Sequence, residues 1–581
     1  MTVVADRSQW TVTRLLAERS REMDDRTLAT FGIGEATLGY REAEELSGRV
    51  AANLAAEGVG PGDSVLVMMR NRVEFVLTWL GLARIGAVQV PVNVDYTGAF
   101  LEQVANQSGA RLLVAEGDLL PAVVRSAGQL AHLRRVLAVG AVGADAADAF
   151  SVADFATLLR PGDPPPFETS ARDVAGIYFT SGTTGRSKGA MVTNAQAHLL
   201  AERHQELMRM GEGDVFITHL PLFHINAQVL AITNAMLVGA SARLEAHFSA
   251  SNWLRQVRAA KATHTGLLGV MLSFLLKQPV DAADAASGLQ CVWTVPCPAP
   301  QARQFKTRFG VGRLVSSYGC TEVGMVASQD DDDRVLGSAG RVGSDWYESA
   351  VVDPETDEPV APGDPGEMVV RGRVPWVVTP GYVGSPDETL RVLRNQWFHT
   401  GDLVRQDEEG RIWFVDRVRD CIRRRGENIA SVDVESVLTG HPAIADAAAV
   451  GVPSEEPGGE DEILACVVPA PGQEVTAEQV WAWCDDRLPR FAVPRYVEVA
   501  SELPRTPTGK VTKYALRDRG LTAGVADRGA AIGGSKRAAP AGLGSSGGVA
   551  GVAGAAGVAG VGEAPVGSGA RDGAMDADVA G

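Results

Sequence analysis

The sequence predicts an α/β protein of more than one domain, and three patterns predict it. From residue 40 to about 350, segments of helical period alternate with short apolar runs, the rhythm of a parallel sheet covered by helices. A strand-rich stretch follows, broken by Gly, Pro and Asp turns. After Arg417 comes a shorter αβ unit, and at roughly 150 residues per domain a chain of 581 residues is expected to hold two to four domains.

The elements follow in order. Glu42–Glu57 has apolar and small residues at helical spacing and closes at Gly58. Ser64–Met68 (SVLVM) reads as a strand, Val73–Ile85 as a helix, and Ala87–Val92 as a strand running into Pro91. The segments VVDPETDEPV, EMVVRG and RIWFVDR read as hairpins or a small barrel. Beyond a boundary near 417–420 the pattern predicts a helix over Val432–Leu438, strands over Ala447–Val452 and Ile463–Val468, a helix over Ala477–Leu488 and a strand over Arg495–Val499. From about Thr522 the chain is dominated by Gly, Ala, Val and Ser, with no aromatic residue after Tyr514. Such a stretch buries too little side chain to offset about 1–2 kcal/mol of ordering entropy per residue, and disorder is expected there.

Composition excludes several classes. With 45% apolar and 22% charged residues the bulk can bury a large core, and a net charge of −17 supplies no broad surface for nucleic-acid phosphates. The six cysteines form no CxxC pair and have no histidine at metal spacing, which suggests reduced, mostly buried thiols. Asp6 and Arg7 interrupt the place of a secretory leader. The most apolar stretch, Glu74–Val94, is broken by Gly81, Arg84, Gly86 and Pro91, short of the roughly 18 apolar residues of a membrane helix. A cytoplasmic protein without an integral membrane segment is expected. Only seven of its 54 basic residues are lysine, among them Lys188 and Lys510.

The most informative stretch is YFTSGTTGRSKG, Tyr178–Gly189. Thr180, Ser181, Thr183 and Thr184 add hydroxyl donors, Gly182 and Gly185 let backbone N–H groups converge, and Lys188 adds a mobile cation, which together suit a polyphosphate. Taken alone, a Gly/Ser/Thr loop is usually only a loop. Ser316-Ser317-Tyr318-Gly319-Cys320-Thr321-Glu322 offers an aromatic for a base and a carboxylate for Mg²⁺; alone it reads as a surface turn. Asp402, in WFHTGD, can accept hydrogen bonds from both ribose hydroxyls, and Arg417, in FVDR, can donate to the same sugar, while His399 reads as structural. DRVRDCIRRRGENIASVDVE over Asp416–Glu435 and LPRTPTGK ending at Lys510 complete the series.

In this order and at this spacing the motifs resemble those of the adenylate-forming superfamily: acyl- and aryl-CoA synthetases, adenylation domains and firefly luciferase. The resemblance covers roughly residues 10–520. It implies a large N-terminal AMP-binding domain, 1–417, of stacked parallel-rich sheets with helices and a small β-barrel-like part. A small mobile α+β domain, 418–521, and a tail, 522–581, would follow. It also implies roles. The loop Thr180–Gly185 with Lys188 holds phosphates, Tyr318 and Gly319 line the adenine, Thr321 contacts the α-phosphate side and Glu322 binds Mg²⁺. Asp402 and Arg417 hold ribose, Arg419 is the pivot, Gly426 faces the pantetheine of CoA, and Lys510 bridges the substrate carboxylate and the α-phosphate. Arg424 and Arg425 read equally as part of that loop or as a solvated basic patch.

His224, in LPLFHIN, stands where amino-acid-activating domains carry aspartate, which disfavours an α-amino acid; by resemblance it gates the pocket between half-reactions. That wording, with GENIASVDVE, is most similar to the crotonobetaine/carnitine-CoA ligase branch. Ser187 replaces a common proline. LQCVWTVPCPAP lacks the usual Gly-Gly-Ala-Pro turn, leaving Pro296 or Pro298 to take the proline's place and Trp293 either in the acyl pocket or in the core. The reading is an ATP- and Mg²⁺-dependent acid:CoA ligase acting on a small carboxylic acid. An enzyme loading an acyl carrier protein is the near alternative, and a non-catalytic ATP-binding homologue the distant one.

Overall fold

The computed structural model describes residues 10–529 except 24, 181–186, 296, 330–334, 425–426, 455–459 and 506–509, and for 427 and 428 only the backbone. Contacts join the described residues up to Arg528 into one unit.

Two seven-stranded sheets carry the N-terminal part. One runs, in spatial order, Ser151–Asp154, Arg135–Val139, Leu112–Glu116, Ser64–Met68, Val88–Pro91, Val174–Thr180 and Lys188–Thr193. All its pairings are parallel except the last. Leu112–Glu116 and Val88–Pro91 are buried at every residue, which is why these strands read as unbroken apolar runs. The second sheet runs Arg313–Val315, Cys291–Val295, His264–Leu268, Val215–Thr218, Ser241–Leu244, Thr27–Phe31 and Thr37–Gly39. The helix Val73–Arg84 is buried from Phe75 to Leu82 without a polar face, and its residues join one core with those of both sheets.

The strand-rich stretch is an antiparallel meander of Tyr347–Val352, Pro365–Gly372, Phe398–Gln406 and Ile412–Arg417. A bridge between Arg341 and Arg411 joins it to the three-stranded sheet of Ser317–Cys320, Gly324–Ser328 and Arg341–Val342. Hairpins linked edge to edge thus form the barrel-like part.

The C-terminal sheet orders Ile444–Val452, Glu462–Pro469, Tyr496–Val499 and Ala526–Asp527, packed on helices Ser431–Thr439 and Ala477–Asp485 through Ile463, Val467, Trp481 and Cys484. The folded chain runs past the expected end at 521. Ala526 pairs with Val497, Thr522 donates to Glu498 Oε1 at 3.1 Å, and Arg528 reaches Asp485 at 2.7 Å. Two residues on a sheet edge held by single ion pairs leave little trace in composition. The rest of the Gly/Ala-rich tail, 530–581, lies outside the described residues.

One polar cluster ties the two parts together beside Arg417. Buried Asp416 accepts from the backbone N–H and the hydroxyl of Ser431, both at 2.6 Å; Lys513 donates to that hydroxyl and pairs with Glu435 at 2.8 Å. Arg517 reaches Asp420 at 2.9 Å.

Candidate active site

The glycine-rich loop spans a hairpin. Strand Val174–Thr180 enters it and Lys188–Thr193 leaves antiparallel, with Thr180 paired to Lys188, so the register fixes where the loop begins and ends. Ser181, Gly182, Thr183, Thr184 and Gly185 fall outside the described residues. Thr180 donates to the Lys188 carbonyl at 3.5 Å. Lys188 is buried, and its ammonium meets Glu388 Oε2 at 2.5 Å and lies 5.5 Å from the centre of the Tyr382 ring. Paired with Lys188 and Arg391, the Glu388 carboxyl is held down to about 2.

Tyr318, Asp402 and Arg417 converge from three strands. Asp402 and Arg417 are cross-strand partners, which puts their side chains on one face. Tyr318 donates to Asp402 Oδ2 at 2.8 Å. Arg417 Nη1 stands 2.8 Å from Oδ1, yet Oδ1 has no aligned hydrogen-bond donor among the described residues. Burial raises the Asp402 carboxyl above its ordinary range, against the pull of Arg417 and Tyr318. A buried acceptor beside a guanidinium suits a ligand that brings its own hydroxyl donors.

The turn before Asp402 is braced from behind. Glu367 accepts from His399 at 3.0 Å and from the Gly401 N–H at 2.9 Å, and Gly401 takes φ 69°, which only glycine adopts without cost. Burial works to raise the Glu367 carboxyl, but the His399 hydrogen bond and the Gly401 N–H outweigh it and hold it low. His399 therefore supports the backbone that carries Asp402.

Gly319 sits at a register shift in the hairpin of Tyr318 and Ala327, where a Cβ would lie 1.9 Å from the Gly324 carbonyl. The close approach of the two backbones is what requires glycine there. Glu322 is buried and accepts from Tyr382 at 2.9 Å through Oε1, and the Thr321 carbonyl accepts from Gln196 at 2.6 Å. A single carboxylate with one oxygen engaged fits a Mg²⁺ carried by a nucleotide, since that ion draws most of its ligands from phosphate and water.

The structure brings Lys510 and His224 to the same place. Lys510 is close enough to Arg417, Asp402 and Cys320 for their charges to act on it; burial first and then Arg417 hold its ammonium below the ordinary value. Burial and Lys510 in turn push the His224 imidazole down to about 4, so it is neutral near pH 7. Of the Arg417 side chain, 39% is exposed.

Other expectations resolve differently. Arg424 is neither solvated nor in the cleft: it is buried, donates to the carbonyls of Phe491 and Val493 at 2.8 Å and pairs with Glu462. Arg425 and Gly426 lie outside the described residues. Trp293 packs in the core and donates to Ser317 at 2.8 Å, beneath the strand that carries Tyr318. Pro298 caps the helix Ala299–Phe309, and Pro296 is outside the described residues. Sequence reasoning missed Tyr382 and Glu388, which contact Glu322 and Lys188; the signals present are a TPGY turn and an acidic first helical turn at Pro386–Val392.

Comparison with known proteins identifies the family. Residues 16–383 match the AMP-binding enzyme family and residues 433–510 the AMP-binding enzyme C-terminal domain. The chain belongs to the AMP-binding enzyme family, within the adenylate-forming superfamily that its motifs resemble. Proteins similar to it include acyl-CoA ligases. The crotonobetaine/carnitine–CoA ligase of Escherichia coli is 33% identical over 488 residues, 82% of this chain and 92% of that protein; the Citrobacter koseri one is 31% identical with the same coverage. ATP-bound MatB from Rhodopseudomonas palustris shares 27% identity at a TM-score of 0.75 over 87% of this chain and 98% of its own. The Mycobacterium tuberculosis fatty acyl CoA synthetase shares 26% at 0.67, over 88% and 99%.

Proposed function

We propose that the chain activates a carboxylic acid with ATP, forming acyl-AMP and pyrophosphate, and then transfers the acyl group to the thiol of CoA. One arrangement carries the reading: Tyr318, Asp402 and Arg417 converge from three strands, and the charges of Asp402 and Arg417 act on Lys510. When a carboxylate attacks the α-phosphorus two anions meet, and an ammonium poised at the developing charge favours the transition state over the ground state. Asp402 receives the ribose hydroxyls, Tyr318 and Gly319 border the adenine, Thr321 faces the α-phosphate, and Lys188 with the loop Thr180–Gly185 takes the β- and γ-phosphates. Glu322 would hold Mg²⁺, which supplies charge neutralisation to the phosphates.

In the second half-reaction the C-terminal part, 418–521, rotates about Arg419, withdraws Lys510 and brings the Gly426 loop to the cleft, so that one site serves two transition states in turn. The neutral imidazole of His224 offers no counter-charge to an α-ammonium, which supports an acid without one. The names of the crotonobetaine/carnitine–CoA ligase and the fatty acyl CoA synthetase support CoA as the acceptor. Acid-dependent exchange of pyrophosphate into ATP, run over a panel including carnitine and crotonobetaine, tests the first step. Exchange with at least one acid is expected, followed by thioester formation on adding CoA. Absence of exchange with every acid defeats the reading, and acyl transfer only to a phosphopantetheinylated carrier protein replaces CoA as the acceptor.

A further inference from the structure

The ion pair between Lys188 and Glu388 is unexpected on chemical grounds. A lysine kept for a polyphosphate would be expected to face open space or neutral donors, yet its ammonium is 2.5 Å from a carboxylate brought in from 200 residues away. The placement is built. Met191 donates to the Gly381 carbonyl at 3.0 Å and Val383 to the Gly189 carbonyl at 2.9 Å, and Ala190 bridges Tyr382, so the segment carrying Glu388 is stitched onto the strand that begins at Lys188. Gln107 adds hydrogen bonds to the Val383 carbonyl and the Ser385 hydroxyl at 2.7 and 2.8 Å, and the Thr389 hydroxyl closes the turn onto the Ser385 carbonyl.

Two further contacts define what the pair can do. Arg391 donates to the same Glu388 Oε2, at 2.9 Å from Nη2 and 3.2 Å from Nε, so the carboxylate keeps a partner if Lys188 leaves. Tyr382 connects the pair to the metal-side carboxylate: the ammonium lies 5.5 Å from its ring centre and its hydroxyl donates to Glu322. The aromatic face gives the ammonium a favourable surface along which to move off Glu388. Glu388 and Arg391 expose 33% and 46% of their side chains, whereas Lys188 exposes 9%. Water therefore stabilises the carboxylate that is left behind better than it would stabilise an unpaired Lys188.

From these contacts we propose that Glu388 is a positioning residue, an internal counter-ion that holds Lys188 before nucleotide binds, yields it to the polyphosphate, and takes it back as pyrophosphate leaves. The inference rests on the reading of Lys188 as a polyphosphate ligand. Its consequence is that Glu388 weakens the hold on both ATP and pyrophosphate, because each must displace a carboxylate. Arg391 acts the other way, since it competes with Lys188 for the same oxygen.

The test is steady-state kinetics of the full-length enzyme with ATP as varied substrate and pyrophosphate as added inhibitor, for Glu388→Gln, Arg391→Gln and Lys188→Ala. Glu388→Gln is expected to lower both the KM for ATP and the inhibition constant for pyrophosphate, roughly threefold, the scale of a partly exposed ion pair. Arg391→Gln is expected to raise both, with the KM for the acid unchanged in each variant. A Glu388→Gln enzyme whose ATP KM rises, or whose two constants both match the parent, overturns the proposal. If that variant does not fold, Arg391→Gln decides: constants that fall or stay level overturn it. Lys188→Ala separates the two levels. Parental ATP and pyrophosphate constants in Lys188→Ala defeat the reading of Lys188 itself. Weakened constants there, with none of the expected shifts in the other two, defeat only the role of Glu388.

Discussion

In the candidate site, three ionisable side chains are shifted by burial and by charged neighbours. Asp402 is held between Tyr318 and Arg417, Lys510 is depressed by burial and by Arg417, and His224 is kept neutral by burial and by Lys510. Such arrangements are costly to fold and useful only where charge develops. Lys510→Ala therefore separates the half-reactions. Pyrophosphate exchange is expected to fall on the order of 100- to 1,000-fold, the scale seen on removing one donor from a transition-state charge. Thioester formation from supplied acyl-AMP and CoA is expected to stay near the parental rate, because the proposed role of Lys510 is confined to the first step. Equal losses in both assays would refute the assignment. Lys188, Asp402 and Lys510 were nominated from the order and spacing of the motifs that carry them, and the structure finds Lys188 opening one strand and Asp402 within another. Arg424 was not, because a guanidinium that caps two carbonyls in the interior and one that lies in solvent have the same neighbours in sequence.

At the level of elements, the hairpin of Ser317–Cys320 and Gly324–Ser328 shows how backbone geometry holds the site. Its register shifts between Tyr318 and Gly319, and the strand passes so close to Gly324 that no Cβ fits. Gly319→Ala must push the hairpin open beside Tyr318 and so loosen the contact with Asp402. Overpacking of this kind costs about 1–3 kcal/mol, and the expected result is a higher KM for ATP and slower exchange, with a lower thermal midpoint. Parental kinetics for Gly319→Ala would show that the hairpin does not position Tyr318. Central strands such as Ser64–Met68 were read to the residue, because burial on both faces leaves an unbroken apolar run. Ends were read less well: Ala477–Asp485 stops three residues before the expected Leu488, in a turn ahead of Pro489. The contacts of Asp416 with Ser431, and of Lys188 with Glu388, were not legible at all. Nothing local to either residue records a partner that only the assembled sheets bring near.

Across the whole molecule, buried imidazoles contribute to the response to acid. His204 is enclosed among Phe216, Trp293 and Asn234 and is driven down to about 3 by burial and then by His264; His219 is driven to about 4 by burial. With His224 at about 4, three histidines stay neutral in the folded state at pH values where the unfolded chain, near 6.5, takes up protons. Stability therefore falls as pH drops from about 6.5 toward 4, because the unfolded state binds more protons over that window. Asp402 and Glu435 work in the opposite direction: burial raises their carboxyls, so the folded state gains protons earlier than the unfolded one as pH falls. The histidine contribution is lost over the window between about 6.5 and 4. His204→Gln keeps a hydrogen-bonding side chain and removes the titration. Denaturant unfolding between pH 7 and 4 is expected to show a shallower loss of stability for this variant than for the parent, and identical slopes would remove His204 as the source.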